Sequence, residues 1–301
     1  MPAMSDIPRH YTTEFAANWD HLVQQTLSKT RECVMVEAVE GKEKSFSQFG
    51  AVEMQRVSQR AGQTRITDVP TGKRWLRPYP LDTAAIFDEW DEAFLGEVVL
   101  PTSATVVAHA NAYNRAVDRT IIESAIGTNY TGDSGLDPVV LPVGQTVRVG
   151  YVDSGADVNS GLTVAKLRQA KFILDNNEAD DDGRYLAYTA KQLQDLLRSV
   201  EIGSYDYNDI KALVDGKVEK FMGFTFKRVS SLIMPIDDLT GVRTCVFWHK
   251  SGIKLADSGR TTHIDVRPDL SHALQIRSVA ALGGTRTEEK KVGIIYCDEV
   301  L

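Results

Sequence analysis

The sequence has little of what usually marks a catalyst or a ligand-binding module. Cysteine occurs three times, at Cys33, Cys245 and Cys297. So odd and scattered a set makes neither a disulfide framework nor a metal cluster. It fits a reducing compartment in which each thiol is a small buried apolar group. Long apolar runs are missing: no stretch of about 18 residues could span a bilayer, and residues 1–30 lack the charged-then-apolar pattern of a signal peptide. The expectation is a soluble chain made inside a cell, with no membrane partner. Positive charge is not in excess either. A formal net charge of −7 argues against gripping nucleic acid along an extended basic face, though not against lying beside it. Repeats and low-complexity segments are absent.

Motifs that carry chemistry are missing as well. Gly127 and Gly132 have the glycine spacing of a phosphate loop, but Asp133 stands where the lysine must be, and a carboxylate there repels the anion. The acidic run Asp175, Asn177, Asp180, Asp181 and Asp182 fails the calcium-loop pattern, because Ala179 and Asp180 fall where a ligand and a glycine belong; it reads as a solvated turn. The six histidines (His10, His21, His109, His249, His263, His272) have no metal-ligand spacing. Cys33 and Cys245 have no local activating base. Asn129-Tyr130-Thr131 is a glycosylation sequon that stays idle without secretion. No catalytic residue, cofactor site or metal site is expected, and the chain reads as a non-enzyme.

What is present is size and pattern. The chain has 301 residues, 43% hydrophobic and 25% charged, enough for one large or two ordinary soluble domains. Its most ordered stretch is residues 101–127. Val106, Ala110, Tyr113, Val117, Ile121 and Ala125 recur at steps of three or four, which predicts one long helix, roughly 36 Å in length. Ala104, Ala108, Ala112 and Ala116 form a small-residue ridge for close approach by another backbone. Asn111, Asn114, Arg115, Asp118, Arg119 and Glu123 are assigned to the remaining surface. Thr102 or Ser103 can cap its start, and Gly127 can supply a left-handed stop.

Around this spine the rest is read in order. Residues 1–29 are polar with a short amphipathic helix at 15–27, in which Phe15, Trp19, Leu22, Val23 and Leu27 share a face that docks on a neighbour or on the chain itself. Residues 31–39 and 44–49 predict strands around Gly41. Residues 48–80 are basic (Arg56, Arg60, Arg65, Lys73, Arg74, Arg77) and have few large apolar anchors, yet include Ile66, Val69 and Trp75. That composition favours an extended hairpin reaching another subunit over a solvated face. Residues 80–95 predict a short helix through Ile86, Trp90 and Phe94. Residues 139–152 read as extended, and 161–177 as an amphipathic helix. Residues 184–188 read as a buried strand, and Thr189 with Gln192 as a capping box opening a helix to 200. Further expectations are a short helix near 208–214, a hairpin at 217–230, a central strand at 243–249 and a loop or short helix at 251–260. A terminal hairpin is expected from 271–282 and 291–300. The class is α+β.

This order of elements resembles the major capsid proteins of tailed bacteriophages, with the Hong Kong 97-like fold. Residues 184–197 (RYLAYTAKQLQDLL) look like that family's strand-then-helix. Residues 214–230 (VDGKVEKFMGFTFKRVS) look like its G-x-V, G-F, strand segment, and residues 280–299 like its closing G-G-x-R, basic turn and V-x-I-I-x strand. The resemblance implies an N-terminal arm at 1–30 and an extended loop at 31–81. It implies a peripheral domain with the spine helix at 82–150, an axial domain at 151–263, and a return to the peripheral domain at 264–301.

It further implies self-assembly into pentamers and hexamers of an icosahedral head enclosing double-stranded DNA without sequence-specific binding. Implied partners are further copies of the chain, a separate scaffolding protein, a portal and a decoration protein. The implied location is the virion, with the host cytoplasm during assembly. Inter-subunit contacts are expected from Phe15, Trp19, Arg56, Arg60, Arg65, Lys73, Arg74 and Trp75. Lys42, Lys44 and Lys73 lie where some relatives cross-link, but no asparagine partner can be assigned. The alternatives are an encapsulin-like compartment shell and an α+β enzyme whose site would gather His109, Cys245 and His249.

Overall fold

In a computed structural model the described residues are 24–56, 66–87, 102–198 and 220–299. Their backbone is organised around three sheets and one long helix, in an α+β arrangement. The helix, α1 (Thr102–Ile126), has 25 residues, about 37 Å at the usual rise. The first sheet runs in the order β1 (Met35–Glu37), β13 (Ile253–Arg267), β14 (Ala273–Arg286), β4 (Tyr79–Phe87). The second has at its centre β12 (Val242–His249), flanked by β15 (Val292–Asp298) and β8 (Arg184–Tyr188). It continues outward to β7 (Thr146–Val147) on one side and to β10 (Phe224–Arg228) and β9 (Lys220–Phe221) on the other, with β11 (Ile236–Asp237) on β12. The third joins β2 (Lys44–Phe49) and β3 (Thr71–Leu76) to β5 (Asn129–Thr131) and β6 (Asp137–Val139).

Alternation and apolar run explain the strands. β12 is buried along most of its length because it lies mid-sheet, covered on both faces, as RTCVFWH requires. The core joins Val117, Ile121, Ile122 and Ala125 of α1 to Leu186, Phe247, Trp248 and Ile295 of the second sheet. Trp248 donates its indole N–H to the Cys33 carbonyl at 2.9 Å, fastening the turn at residues 31–33 to that core. Two further helices complete it. In α2 (Val164–Asn176) Thr163 caps the N-terminus. In α3 (Ala190–Arg198) the Gln192 amide oxygen accepts from the Thr189 backbone N–H and, in a short bond, from its hydroxyl, the capping box read from sequence. All three cysteines are free and buried.

Several expectations are corrected. Residues 80–95 do not begin as a helix: β4 runs through Ile86 to Phe87, and residues 88–95 lie outside the described residues. The alternating Leu81, Thr83, Ala85 and Phe87 give the edge of β14 a partner, which outweighs the spacing of four from Ile86. Residues 253–260 are strand, not loop or helix; β13 and β14 form the long hairpin, with a bulge between Asp257 and Arg260. The two closing segments therefore do not pair. β14 belongs to the first sheet and β15 lies on β12 in the second. Residues 31–33 form a 3-10 turn, and β1 pairs in parallel with β13 instead of folding on β2 across Gly41. Only fragments of 139–152 are extended. Gly127 does not take a left-handed φ; a Cβ there would sit 2.9 Å from the Glu123 carbonyl oxygen, so close approach accounts for the glycine. The 217–230 hairpin and the helix at 161–177 are found, each somewhat shorter than expected. The helix near 208–214 and most of the arm helix at 15–27 lie outside the described residues.

Candidate assembly interface

The β2–β3 hairpin is the feature that leaves the body. Its strands stay in register from Lys44↔Leu76 to Phe49↔Thr71, and Gly50 N–H still donates to the Pro70 carbonyl at 2.7 Å. Beyond that point the described chain is exposed. Phe49 is 76% exposed and Ile66 92%, Met54 is fully exposed, and Val52 and Val69 are exposed as well. Scattered exposed apolar residues are normal, but five on one projecting hairpin form a surface that seeks cover.

The base of the hairpin is held firmly. Arg74 is buried and ion-pairs with Glu289. Trp75 donates its indole N–H to the Gly132 carbonyl at 2.8 Å and packs on Gly135, where an added Cβ would lie 2.8 Å from the ring. The Arg77 guanidinium lies 5.2 Å from the Tyr130 ring and 5.9 Å from Trp75, and donates to Gly135 O and Glu43 at 2.9 Å. Lys73 pairs with Asp133 at 2.8 Å, the residue that breaks the phosphate-loop pattern. Of the expected contact residues, Arg56 is exposed on the tip, Lys73 is exposed at the base, and Arg74 and Trp75 are engaged within the chain. Phe15, Trp19, Arg60 and Arg65 lie outside the described residues.

Trp75, expected from sequence to contact another subunit, is bonded within its own chain. Trp75→Ala should cost about 2 kcal/mol of subunit stability, less than a fully buried tryptophan would. Thermal unfolding of the isolated chain checks this; an unchanged melting temperature would contradict it.

Three buried charges hold residues 25–30, the C-terminal end of α1 and the acidic turn before β8 in place. Asp118, assigned to the surface from sequence, is fully buried in α1. It accepts hydrogen bonds from Ser28 Oγ (2.6 Å), Thr30 Oγ1 (2.7 Å) and the backbone N–H groups of Lys29 and Thr30 (3.0 Å), and a short one from Gln25. Residues 25–30 are thereby pinned to α1. Asn111 is also buried.

Arg286, the arginine of G-G-x-R, is wholly buried and donates to Ala125 O (2.9 Å), Gly127 O (2.6 Å) and Val139 O (2.9 Å). It satisfies the orphan carbonyls at the C-terminus of α1, where positive charge also meets the helix dipole favourably. Burial pushes its pKa down, and the nearby Arg74 charge adds to that, while Glu289 opposes it. The two glycines of the motif allow this approach. A Cβ on Gly283 would lie 2.5 Å from Arg77 O, and one on Gly284 2.7 Å from the Ser124 side chain. Asn129, the sequon asparagine, is buried and donates to Ser124 O.

Arg184 is the third. It donates to Asp175 Oδ1 (2.5 Å), Asp180 O (2.8 Å) and Ala179 O (2.6 Å), so the acidic turn has an internal counter-charge and is not merely solvated.

A further polar network centres on Glu299. Arg243 donates to both Glu299 oxygens (2.6 and 2.9 Å), and Gln192 to the first. Burial pushes the Glu299 carboxyl up, but these hydrogen bonds and the Arg243 charge outweigh it and leave the pKa below 4.5. A lowered folded value means the bond's contribution is complete above the ordinary value and is lost as pH falls through the folded one. Wild-type stability should therefore drop more than that of Glu299→Gln on acidification below pH 4.5, read by denaturant unfolding at several pH values. Equal drops would contradict it.

His109 faces Ser278 at 3.2 Å; burial, with the Arg260 charge, pushes its pKa down. His249 bonds Ser251 and Asp182 O at 2.8 Å, and the Cys245 thiol is pushed well up by its hydrogen bond to Cys297 and by burial. These three residues have separate partners, so the enzyme reading gains no nucleophile–base pair. Among the described residues no group of carboxylates, histidines and cysteines is placed to hold a metal, and no helix is long and apolar enough to cross a membrane.

A projecting apolar hairpin on a rigid, charge-locked base suits association, and comparison with known proteins agrees. The family model described as phage capsid protein matches residues 7–299. The chain belongs to the phage capsid protein family. Among solved structures, a chain of Mycobacterium phage Che8 superposes with a TM-score of 0.66 at 16% identity, covering 94% of this chain and 96% of that one. The capsid of Ralstonia phage GP4 gives 0.70 at 9% identity, with 99% and 98% covered. The cyanophage Pam1 capsid asymmetric unit gives 0.69 at 11%, with 99% of both chains covered. Identities this low establish the fold, which is the Hong Kong 97-like capsid fold of major capsid proteins. No curated protein matches. The capsid protein is thus a structural, self-associating component of a bacteriophage virion.

Proposed function

We propose that this capsid protein assembles into pentamers and hexamers that close an icosahedral head around double-stranded DNA. The observation that carries this is the hairpin, whose apolar residues from Phe49 to Val69 have nothing to cover them on their own chain among the described residues. A neighbouring copy covers them in a lattice. Each contact is weak, but a closed shell engages several neighbours at once, so modest interfaces accumulate. Arg56, Arg60, Arg65 and Lys73, with Phe15 and Trp19 of the arm, contribute register and encounter rate at these contacts. The net charge of −7 lets packaged DNA slide instead of sticking.

In this reading residues 1–30 form the arm, 31–81 the extended loop, 82–150 with 264–301 the peripheral domain and 151–263 the axial domain. A scaffolding protein, a portal and a decoration protein complete the assembly, which takes place in the host cytoplasm. Co-expression with the scaffolding protein should give closed particles visible in negative stain. DNA-free particles loaded with one cargo protein would point to a compartment shell instead.

A further inference from the structure

The second sheet carries opposite charge at the two ends of one strand. At the N-terminal end of β8 lies the acidic turn 175–183, whose carboxylates are exposed, with Glu178 held at φ 56° and Arg184 buried beneath it. Arg184 answers Asp175 and Asp181, whereas Glu178, Asp180 and Asp182 are exposed and form no ion pair among the described residues. Cations on adjoining elements are Lys171 on α2, Lys250, whose backbone N–H bonds Gly183 O, and Lys290, whose carbonyl accepts from Asn177.

At the other end, about 13 Å along the strand, β8 opens into a cleft of 1390 Å³ between the arm and the ends of β8 and β10. Its lining includes five cations, Lys29, Arg115, Lys191, Arg228 and Arg243, and a single carboxylate, Glu299. Glu299 is taken by Arg243, and Lys191 pairs with Asp195 at 3.2 Å. Lys29, Arg115 and Arg228 have no carboxylate partner among the described residues, and Lys29 and Arg228 are exposed. Asp118, beneath residues 25–30, is satisfied by the donors of four residues already described.

An exposed acidic knuckle and a basic cleft at opposite ends of one strand cannot meet within a single chain. We propose that they meet between chains: the 175–183 turn of one copy enters the Lys29–Arg115–Arg228 cleft of the next. Such a contact is heterologous, head to tail, and closes into a ring when the rotation per copy permits. The occupant is a second copy of this chain because the complementary charge, on an exposed turn, exists on the chain itself. This rests on the capsid-assembly reading and names the surfaces within it.

Two surface variants test it, under conditions in which the wild-type chain forms shells. Asp180→Lys with Asp182→Lys reverses the knuckle, and Lys29→Glu with Arg228→Glu reverses the cleft. Each alone places like charges in the contact and should cut particle yield about tenfold or more, with a native melting temperature. The four substitutions combined restore opposite signs and should recover particles, which no merely folding-related defect would do. An equal mixture of the two singly reversed chains should alternate around even-membered rings only, giving hexamers without pentamers. Wild-type yields from either single-sided variant, or no recovery in the combined chain despite a native melting temperature, would overturn the proposal. A wild-type chain that stays monomeric under every assembly condition would instead remove the capsid-assembly reading beneath it.

Discussion

Arg286→Met should lower the melting temperature of the isolated capsid protein by about 10 °C, the largest single-residue effect expected on folding. The side chain is wholly buried, and its Nη1 and Nη2 groups serve carbonyls at the end of α1 and on the neighbouring Val139. Methionine fills similar volume but donates nothing. Each stranded buried carbonyl then costs about 1–3 kcal/mol, and Glu289 loses one of its two facing cations. A total near 4 kcal/mol is a large share of a typical folding stability of about 5–15 kcal/mol. Arg286→Lys should recover part of the loss, since one ammonium cannot point at both sets of acceptors. Differential scanning calorimetry distinguishes these outcomes, and a shift of under about 2 °C for methionine would show that the carbonyls find water instead.

The largest effect on assembly, with the least on folding, is expected from Met54→Ser together with Ile66→Ser. Both side chains are exposed on the hairpin tip, so replacing them removes no packing within the chain. The isolated subunit should unfold at the wild-type temperature. In a lattice the same side chains are covered by a neighbour, and losing about 1.5–3 kcal/mol per anchor at every repeated contact multiplies across the shell. Particle yield in sucrose gradients should fall below detection while soluble subunit accumulates. Full yield would show that the tip stays in solvent after assembly.

Much of the fold is legible in the sequence where one physical signal dominates. The spine helix, the capping box at Thr189 and Gln192, the buried strand RTCVFWH and the buried thiols follow from period, cap chemistry and apolar run. Strand partnership does not follow from these signals. Nothing in residues 271–300 says that its two strands belong to different sheets, because alternation records which face is buried and not which strand lies alongside. The buried charges were equally opaque. Asp118 sits between Val117 and Arg119 on a helix where a polar residue ordinarily faces water, and only the chain returning from far away in sequence supplies its donors. For Arg286 a signal did exist: two adjacent glycines before an arginine state that something must come close. Trp75 had the opposite problem. A tryptophan is costly to leave exposed, but the loop that covers this one belongs to its own chain.

The central claim is that the hairpin is completed by a neighbouring copy. A photoreactive benzoyl-phenylalanine at position 54 tests it most directly. Irradiated particles should yield a ladder of covalently joined subunits in denaturing gels, with the joined peptide mapping to a second chain. Cross-links confined within single subunits, from particles that are intact in the microscope, would contradict it.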